Sequence, residues 1–525
     1  MLADFREVES QSVLSTDVCI VGGGAAGISI ARELIDADCS VLLLESGGMS
    51  LNSEVQSLYE GTNTRDDFAL HATRFRLLGG TTSVWGGWCA PLDPIDFETR
   101  DWVPNSGWPI TYKDLVPFYV RAQELCELGA YRYEVTDWPS LAEKTLALDP
   151  AKLEHKMWQF SRPPTSFGRA YEEQMRRAAN LKVLLNATVT QIITDPAASR
   201  VTAITVQDLH GRRATVHASR FVIACGGIET SRLLLASNKI HSSGVGNRYD
   251  LVGRYFMEHP HPDAGGMLLT GDPESLRAYG FRTIAGERIA TAFGPSPAAQ
   301  KRHRILNSSI ALNGPLSHAP SEGWDSLIKI SRAREAGKWP ENLGTHIARV
   351  LRDLGDVLRE GYHHNDEGPV KGYQLIARTE VVPNPENRIT LSQDRDALNC
   401  NRAQLDWNVG TLDRTTVANT MILLAEELGR LNVARVRVND LLLQDDTRWS
   451  EGLSWFGHHM GGTRMHADPR RGVVDAQCRV HGVSNLFVAS SSVFPTCGFA
   501  NPTLTIIALA LRLADHLKTS MANGA

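Results

Sequence analysis

Val21-Gly22-Gly23-Gly24-Ala25-Ala26-Gly27 is the stretch from which the fold follows. An apolar run from Asp17 to Val21 precedes it, a periodic stretch from Ala25 to Ile35 follows, and a second apolar run fills Val41 to Leu44. That order predicts strand, helix and strand, the opening of a βαβ unit. Gly22, Gly24 and Gly27 occupy the Gly-x-Gly-x-x-Gly positions, where backbone turns tightly, lies against a pyrophosphate and points a helix N-terminus at the phosphates. Glu45 closes the second strand about 20 positions on, where an acid accepts hydrogen bonds from an adenosine ribose. A solvated strand end would read the same way.

The whole chain is consistent with that opening. Its 525 residues, 42 % of them apolar, exceed one compact unit and exclude a disordered tail or a peptide-sized scaffold. Lys plus Arg is 54 and Asp plus Glu is 59, a net charge of -5 with no basic block, so nucleic acid is not an expected partner. The eight cysteines stand singly, without Cys-x-x-Cys pairs or histidines at zinc-ligand spacing, so no metal site is expected. Met1 to Thr16 has no basic stretch leading into an apolar core, and no run reaches the ~18 residues of a membrane span. A soluble, cytoplasmic protein is the expectation.

Further along, short strands are predicted at Val183–Leu185, Val189–Ile193, Ala203–Val206, Ala214–His217 and Phe221–Ile223, ending in Cys225-Gly226-Gly227 and a helix. Ile347, Val350, Leu351, Leu354, Val357 and Leu358 recur at helical spacing between Ser331 and Tyr362, with Gly361 near the end. Such a helix covers its own core or docks on a partner or membrane. Strands at Gln374–Glu380 and Arg388–Leu391 and helices at Thr415–Leu428 and Thr503–Lys518 complete the outline.

Three later stretches bear on the cofactor. Leu77-Leu78-Gly79-Gly80-Thr81-Thr82-Ser83-Val84-Trp85-Gly86-Gly87 is a small-residue loop that lets main chain lie against a flat ring. Ala224-Cys225-Gly226-Gly227 is a second glycine turn into a helix. His458-His459-Met460-Gly461-Gly462-Thr463 is answered downstream by Asn501-Pro502-Thr503-Leu504-Thr505.

In these motifs and their order the chain resembles the glucose-methanol-choline (GMC) family of flavin oxidoreductases from about Thr16 to Leu517, nearest the branch of pyranose oxidases and bacterial sugar or glycoside oxidoreductases. The resemblance implies an α/β fold in which a Rossmann-like FAD-binding domain (12–100, 170–262 and 452–525) is interleaved with an α+β substrate domain on an antiparallel sheet (101–169 and 263–451). It implies an alcohol as hydride donor and oxygen, a quinone or a redox partner as electron acceptor. His459 and Asn501 match the family's catalytic pair. Gly22, Gly24, Ala26, Gly27, Glu45, Ser46, Gly79, Gly80, Thr81, Ser83, Val84, Trp85, Gly86, Gly87, Val189, Ala224, Gly226, Ser490, Asn501, Pro502 and Thr503 are the expected cofactor contacts. Val84 stands where covalently tethered relatives carry a histidine, so non-covalent FAD is expected. Ser490 stands where an acid is common.

The residue chemistry is compatible with that role. Alcohol oxidation needs a base for the hydroxyl proton while hydride leaves the adjacent carbon, and an imidazole titrates in the right range. His459 read without the resemblance is also a core or metal-site histidine, and His458 is its neighbouring rival, read as supporting or structural. Asn501 before Pro502 is equally a helix N-cap. Trp85, Trp88 and Trp455 suit either a sugar face or core filling. Leu51 to Ala72, with Asp66 and Asp67, reads as a lid or a surface connection. A hydroxynitrile-lyase-type enzyme, an oxidoreductase of aromatic or terpene alcohols, a non-catalytic flavin module and an NAD-linked enzyme are the alternatives.

Overall fold

The computed structural model describes residues 1–65, 69–316, 322–335, 339–340, 342–355, 357, 370–444, 447–451 and 453–522. Strand Ser12–Val21 lies at the centre of the first sheet, parallel to Val41–Leu44 on one side and Arg213–Ile223 on the other. Leu181–Leu185 and Leu2–Asp4 continue the sheet in parallel, and Leu486–Val488 adds a strand from the C-terminal region. Thr188–Thr194 and Val201–Gln207 finish it antiparallel. Val41–Leu44 is buried at every position, as a parallel strand covered on both faces must be.

Helix Ala25–Glu33 and the C-terminal helix Thr503–Ala522 share one apolar core with this sheet. Helix Tyr112–Leu125 packs on Thr503–Ala522, and the Tyr119 hydroxyl meets that of Thr505 at 2.9 Å. It falls in a segment expected with the substrate domain, and Leu2–Asp4 precedes the expected start at residue 12.

The second sheet has seven antiparallel strands, among them Leu153–Phe160, Glu287–Pro295, Ser308–Leu316 and Gly372–Thr379. Helix Thr411–Arg430 covers it, placing Val417, Met421 and Leu424 in one core with Phe293, Ile310 and Leu375. Arg388–Arg395, Asn401–Asp406 and Gly61–Asn63 form a small third sheet. Gly61–Asn63 thus ties part of the Leu51 to Ala72 stretch to residues far along the chain. Asp66 and Asp67 lie outside the described residues.

Two predicted elements come out differently. Ala214–His217 and Phe221–Ile223 are one strand, Arg213–Ile223, because Ser12–Val21 pairs along it from Ala214 to Ile223, while its two halves meet Val201–Gln207 and Leu486–Val488 on the other side. The long amphipathic helix is replaced by two, Glu322–Glu335 and Leu343–Arg352, which pack on each other. Pro340 stands between them and cannot continue a helix. Leu358 and Gly361 lie outside the described residues. No helix among the described residues is long and apolar enough to cross a membrane.

Candidate active site

A cavity of about 870 Å³ opens at the C-terminal ends of the parallel strands and runs to the antiparallel sheet. This is where doubly wound sheets bind ligands. Gly22 has φ +107°, and a Cβ there would meet the Ala224 carbonyl oxygen at 2.5 Å. A Cβ on Gly27 would lie 1.9 Å from the Gly22 carbonyl oxygen, so helix and turn touch only because that side chain is missing. Gly24 precedes the helix and would direct a Cβ into open space, as a phosphate approach requires.

Glu45 shapes the same loop. Its carboxylate accepts from Gly23 N at 2.8 Å and Gly47 N at 2.7 Å. Burial raises its pKa despite those donors. Each oxygen keeps a second lone pair for a hydroxyl. Ala26, Ser46, Gly80, Thr81, Val84, Trp85, Gly86, Val189, Ala224, Gly226, Ser490, Pro502 and Thr503 line the cavity; Gly27, Gly79, Ser83 and Gly87 do not. Gly79 acts from behind, its N–H donating to the Gly23 carbonyl at 2.7 Å and fastening one glycine loop to the other. The Trp85 indole donates to the Thr165 carbonyl, and Trp455 packs edge-on against Trp407.

A buried ionic cluster beside this half was not read from the sequence. Glu229 takes Arg74 at 2.9 Å, Arg76 at 2.8 Å and Arg232 at 3.0 Å, and Arg232 also binds Asp396 at 2.5 Å. Burial works to raise the Glu229 pKa, but Arg232, Arg76 and Arg74 outweigh it and hold it near 2. Arg76 also donates to Ser46 Oγ at 2.7 Å. Counting Glu45, three guanidiniums face three carboxylates here, so backbone N–H groups and the helix N-terminus remain as the anion site.

The other half holds a chain of hydrogen bonds with one consistent direction. Arg378 Nη1 donates to Asn501 Oδ1 at 2.7 Å, which leaves the amide Nδ2 to donate to His458 Nε2 at 3.0 Å. His458 Nδ1 meets His259 Nδ1 at 3.0 Å, and His259 Nε2 meets the Gly498 carbonyl at 2.9 Å. A carbonyl only accepts, so His259 carries its proton on Nε2 and accepts on Nδ1. His458 therefore carries its proton on Nδ1 and presents a lone pair on Nε2, an assignment made from the network. Burial first, then the His259, Arg378 and His459 charges, holds His458 well below the ordinary histidine pKa. Burial and Arg378 push His259 down to about 3.

The structure does not join His459 to Asn501. His459 Nε2 lies 3.2 Å from Thr73 Oγ1 and 3.7 Å from Glu258 Oε2, and burial with the Arg74 charge takes its pKa down to about 3. The two neighbouring side chains have different partners, His458 meeting Asn501 and His259 while His459 meets Thr73. Glu258 sits behind both, its Oε1 accepting from the backbone N–H of His458 at 2.8 Å and of His259 at 3.2 Å. Arg378, His259, His261 and Glu258 are residues the sequence reading missed.

A glycine-loop cleft at the end of a doubly wound sheet thus faces a polar cluster to which the antiparallel sheet contributes Arg378. Models of the GMC oxidoreductase family match residues 165–261 and 383–510. The large subunit of fructose dehydrogenase from Gluconobacter japonicus is 27 % identical, with 98 % of this chain and all of that protein aligned. The 6'''-hydroxyparomomycin C oxidase of Streptomyces lividus is 26 % identical over 96 % of this chain and 92 % of its own. Formate oxidase from Aspergillus oryzae shares the fold at a TM-score of 0.57 and 18 % identity, covering 98 % of this chain and all of that one. The chain belongs to the GMC oxidoreductase family.

Proposed function

We propose that the chain is an FAD-dependent oxidoreductase that oxidises an alcohol group of a sugar, glycoside or related polyol to a carbonyl. The relatives named for fructose and hydroxyparomomycin support a carbohydrate-like donor. One observation carries the mechanism: the directed relay that turns the Nε2 lone pair of His458 to the cavity, where the Asn501 amide is its donor until a substrate hydroxyl takes that place. When bound, FAD supplies the hydride acceptor. His458 Nε2, exchanging its bond from Asn501 for one from the substrate hydroxyl, accepts the hydroxyl proton, while His259 holds the opposite ring nitrogen and fixes the tautomer. Asn501 Nδ2 donates to the substrate oxygen, its amide orientation set by Arg378. His459 keeps a different post, on the Thr73 side.

Non-covalent attachment belongs to the same reading, because Val84 offers no nucleophile and the glycine loops hold the pyrophosphate by main chain. So does the division into an FAD unit (12–100, 170–262, 452–525) and a substrate unit (101–169, 263–451), supported by the two sheets. Leu2–Asp4 and helix Tyr112–Leu125 associate with the former.

Anaerobic mixing of the yellow protein with a panel of sugars and glycosides is expected to bleach the flavin and yield the carbonyl product. A panel of alcohols that leaves the oxidised spectrum intact would remove the proposal. Gly27→Ala is expected to purify colourless, since a methyl 1.9 Å from the Gly22 carbonyl must push the helix off the turn, at about 1–3 kcal/mol or more. A yellow Gly27→Ala protein with unchanged thermal midpoint would contradict the cradle.

A further inference from the structure

Arg378 has no carboxylate partner among the described residues. Its Nη1 donates to Asn501 and its Nε to His261 Nε2 at 3.4 Å, and its Nη2 donates to no protein atom among the described residues. Four buried arginines elsewhere in the protein are neutralised by acids. Arg100 is paired with Glu380, and Arg74, Arg76 and Arg232 share Glu229 and Asp396. Arg464 lacks an acid, but both its terminal nitrogens are taken by carbonyls and it does not line the cavity. Arg378 does line it.

The charge sits at the substrate end. Four arginines and three carboxylates line the cavity, and the three carboxylates, Glu45, Glu229 and Asp396, all lie at the cofactor end. His261 and His458 beside Arg378 are both held neutral, chiefly by burial. Glu258, behind the histidines, makes no bond to Arg378, and burial raises its pKa to about 8. Nothing but burial perturbs Arg378, which takes it down to about 10, still fully charged at neutral pH. Trp88 and Trp158 lie 5.2 and 5.4 Å from the guanidinium and close it in. A half-buried cation with a free donor edge and no counter-charge among the described residues draws an anion.

We propose that Arg378 is a specificity-determining residue and that the substrate is a sugar acid, a polyhydroxy compound whose carboxylate binds Arg378 while its neighbouring hydroxyl reaches His458. Only the Asn501 amide separates the guanidinium from His458 Nε2, so both groups belong to one small molecule. The aromatic faces of Trp88 and Trp158 suit the ring that joins them. This inference rests on the alcohol-oxidase reading and narrows it.

Methyl glucuronoside and methyl glucoside, which differ at one carboxylate, test it in the holoenzyme. The uronoside is expected to bleach the flavin with a kcat/KM roughly ten- to a hundredfold higher, the range of a hydrogen bond to a charged group. In Arg378→Gln that ratio is expected to fall to near one, and Arg378→Lys to keep part of it. A loss common to both sugars reports the Asn501 bond; the ratio reports the charge. Equal or better reduction by the glucoside, or an unchanged ratio in Arg378→Gln, would overturn the proposal while leaving alcohol oxidation standing. If neither sugar bleaches the flavin, calorimetry with cyclohexanecarboxylate decides: binding to the wild type but at least tenfold weaker binding to Arg378→Gln supports the anion site, and no binding to the wild type refutes it.

Discussion

His458→Ala, purified with its FAD, is expected to reduce that flavin with a sugar substrate about 10² to 10⁴ times more slowly than the wild type, the usual contribution of a positioned base. Nothing else within the relay can take the proton: Asn501 offers a donor, Arg378 is a cation, and His259 does not line the cavity. His459→Ala loses a bond to Thr73, worth about 1 kcal/mol, and is expected to keep reduction within about tenfold. The pair of variants separates the two histidines, since the reverse pattern would return the base to His459. Rapid-mixing reduction traces at matched FAD content give the comparison. In the wild type the acid limb of the reduction rate is expected well below pH 6.5, because burial and the neighbouring charges keep His458 unprotonated to that point. A limb above pH 6.5 would assign the proton to another group.

More of the glycine-loop half of this site was legible in the sequence than of the half around Asn501. The glycine loop, Glu45 and both flanking strands were legible because a dinucleotide cradle is built from local features: a tight turn, a helix start, an acid at a fixed interval. Thr503–Ala522 and Thr411–Arg430 were legible from periodicity. The antiparallel strands Asp263–Leu269, Glu287–Pro295 and Ser308–Leu316 were not, since their partners lie far along the chain and local composition does not single them out.

The choice between His458 and His459, which the proposed relay makes differently, was hidden for the same reason. Which of them faces Asn501 depends on how Met460 is set against Met257, a pairing across some 200 residues. His259 arrives with that same segment, and Arg378 comes from a strand of the second sheet. The signal available in the sequence was the cluster Glu258-His259-Pro260-His261, whose density of titratable groups in an apolar setting marks an active-site candidate.

The second large effect concerns the joint between the sheets. Arg100 and Glu380 form a two-pronged ion pair at 2.8 and 2.5 Å with both side chains fully buried, and Glu380 also accepts from Asn307 N at 3.0 Å. Glu380→Gln leaves the guanidinium uncompensated, and the expected loss is about 3–5 kcal/mol. Arg100→Met/Glu380→Met, which removes both charges, is expected to recover most of it, because a buried pair owes its cost to desolvation as much as its benefit to attraction. A thermal midpoint in Glu380→Gln equal to that of the wild type would refute the argument.

Asp96 gives the effect a pH dependence. Burial, then Glu380, then Asp93 raise its pKa from 3.8 to about 8, so in the wild type Asp96 costs stability progressively as pH climbs from about 4 to 8. Removing the Glu380 charge lowers that pKa, and the variant loses less over the same interval. Ionised Asp96 then also offers Arg100 a counter-charge. The midpoint difference between wild type and Glu380→Gln is therefore expected to be larger at pH 6 than at pH 9; a gap that widens with pH would place the compensating charge elsewhere.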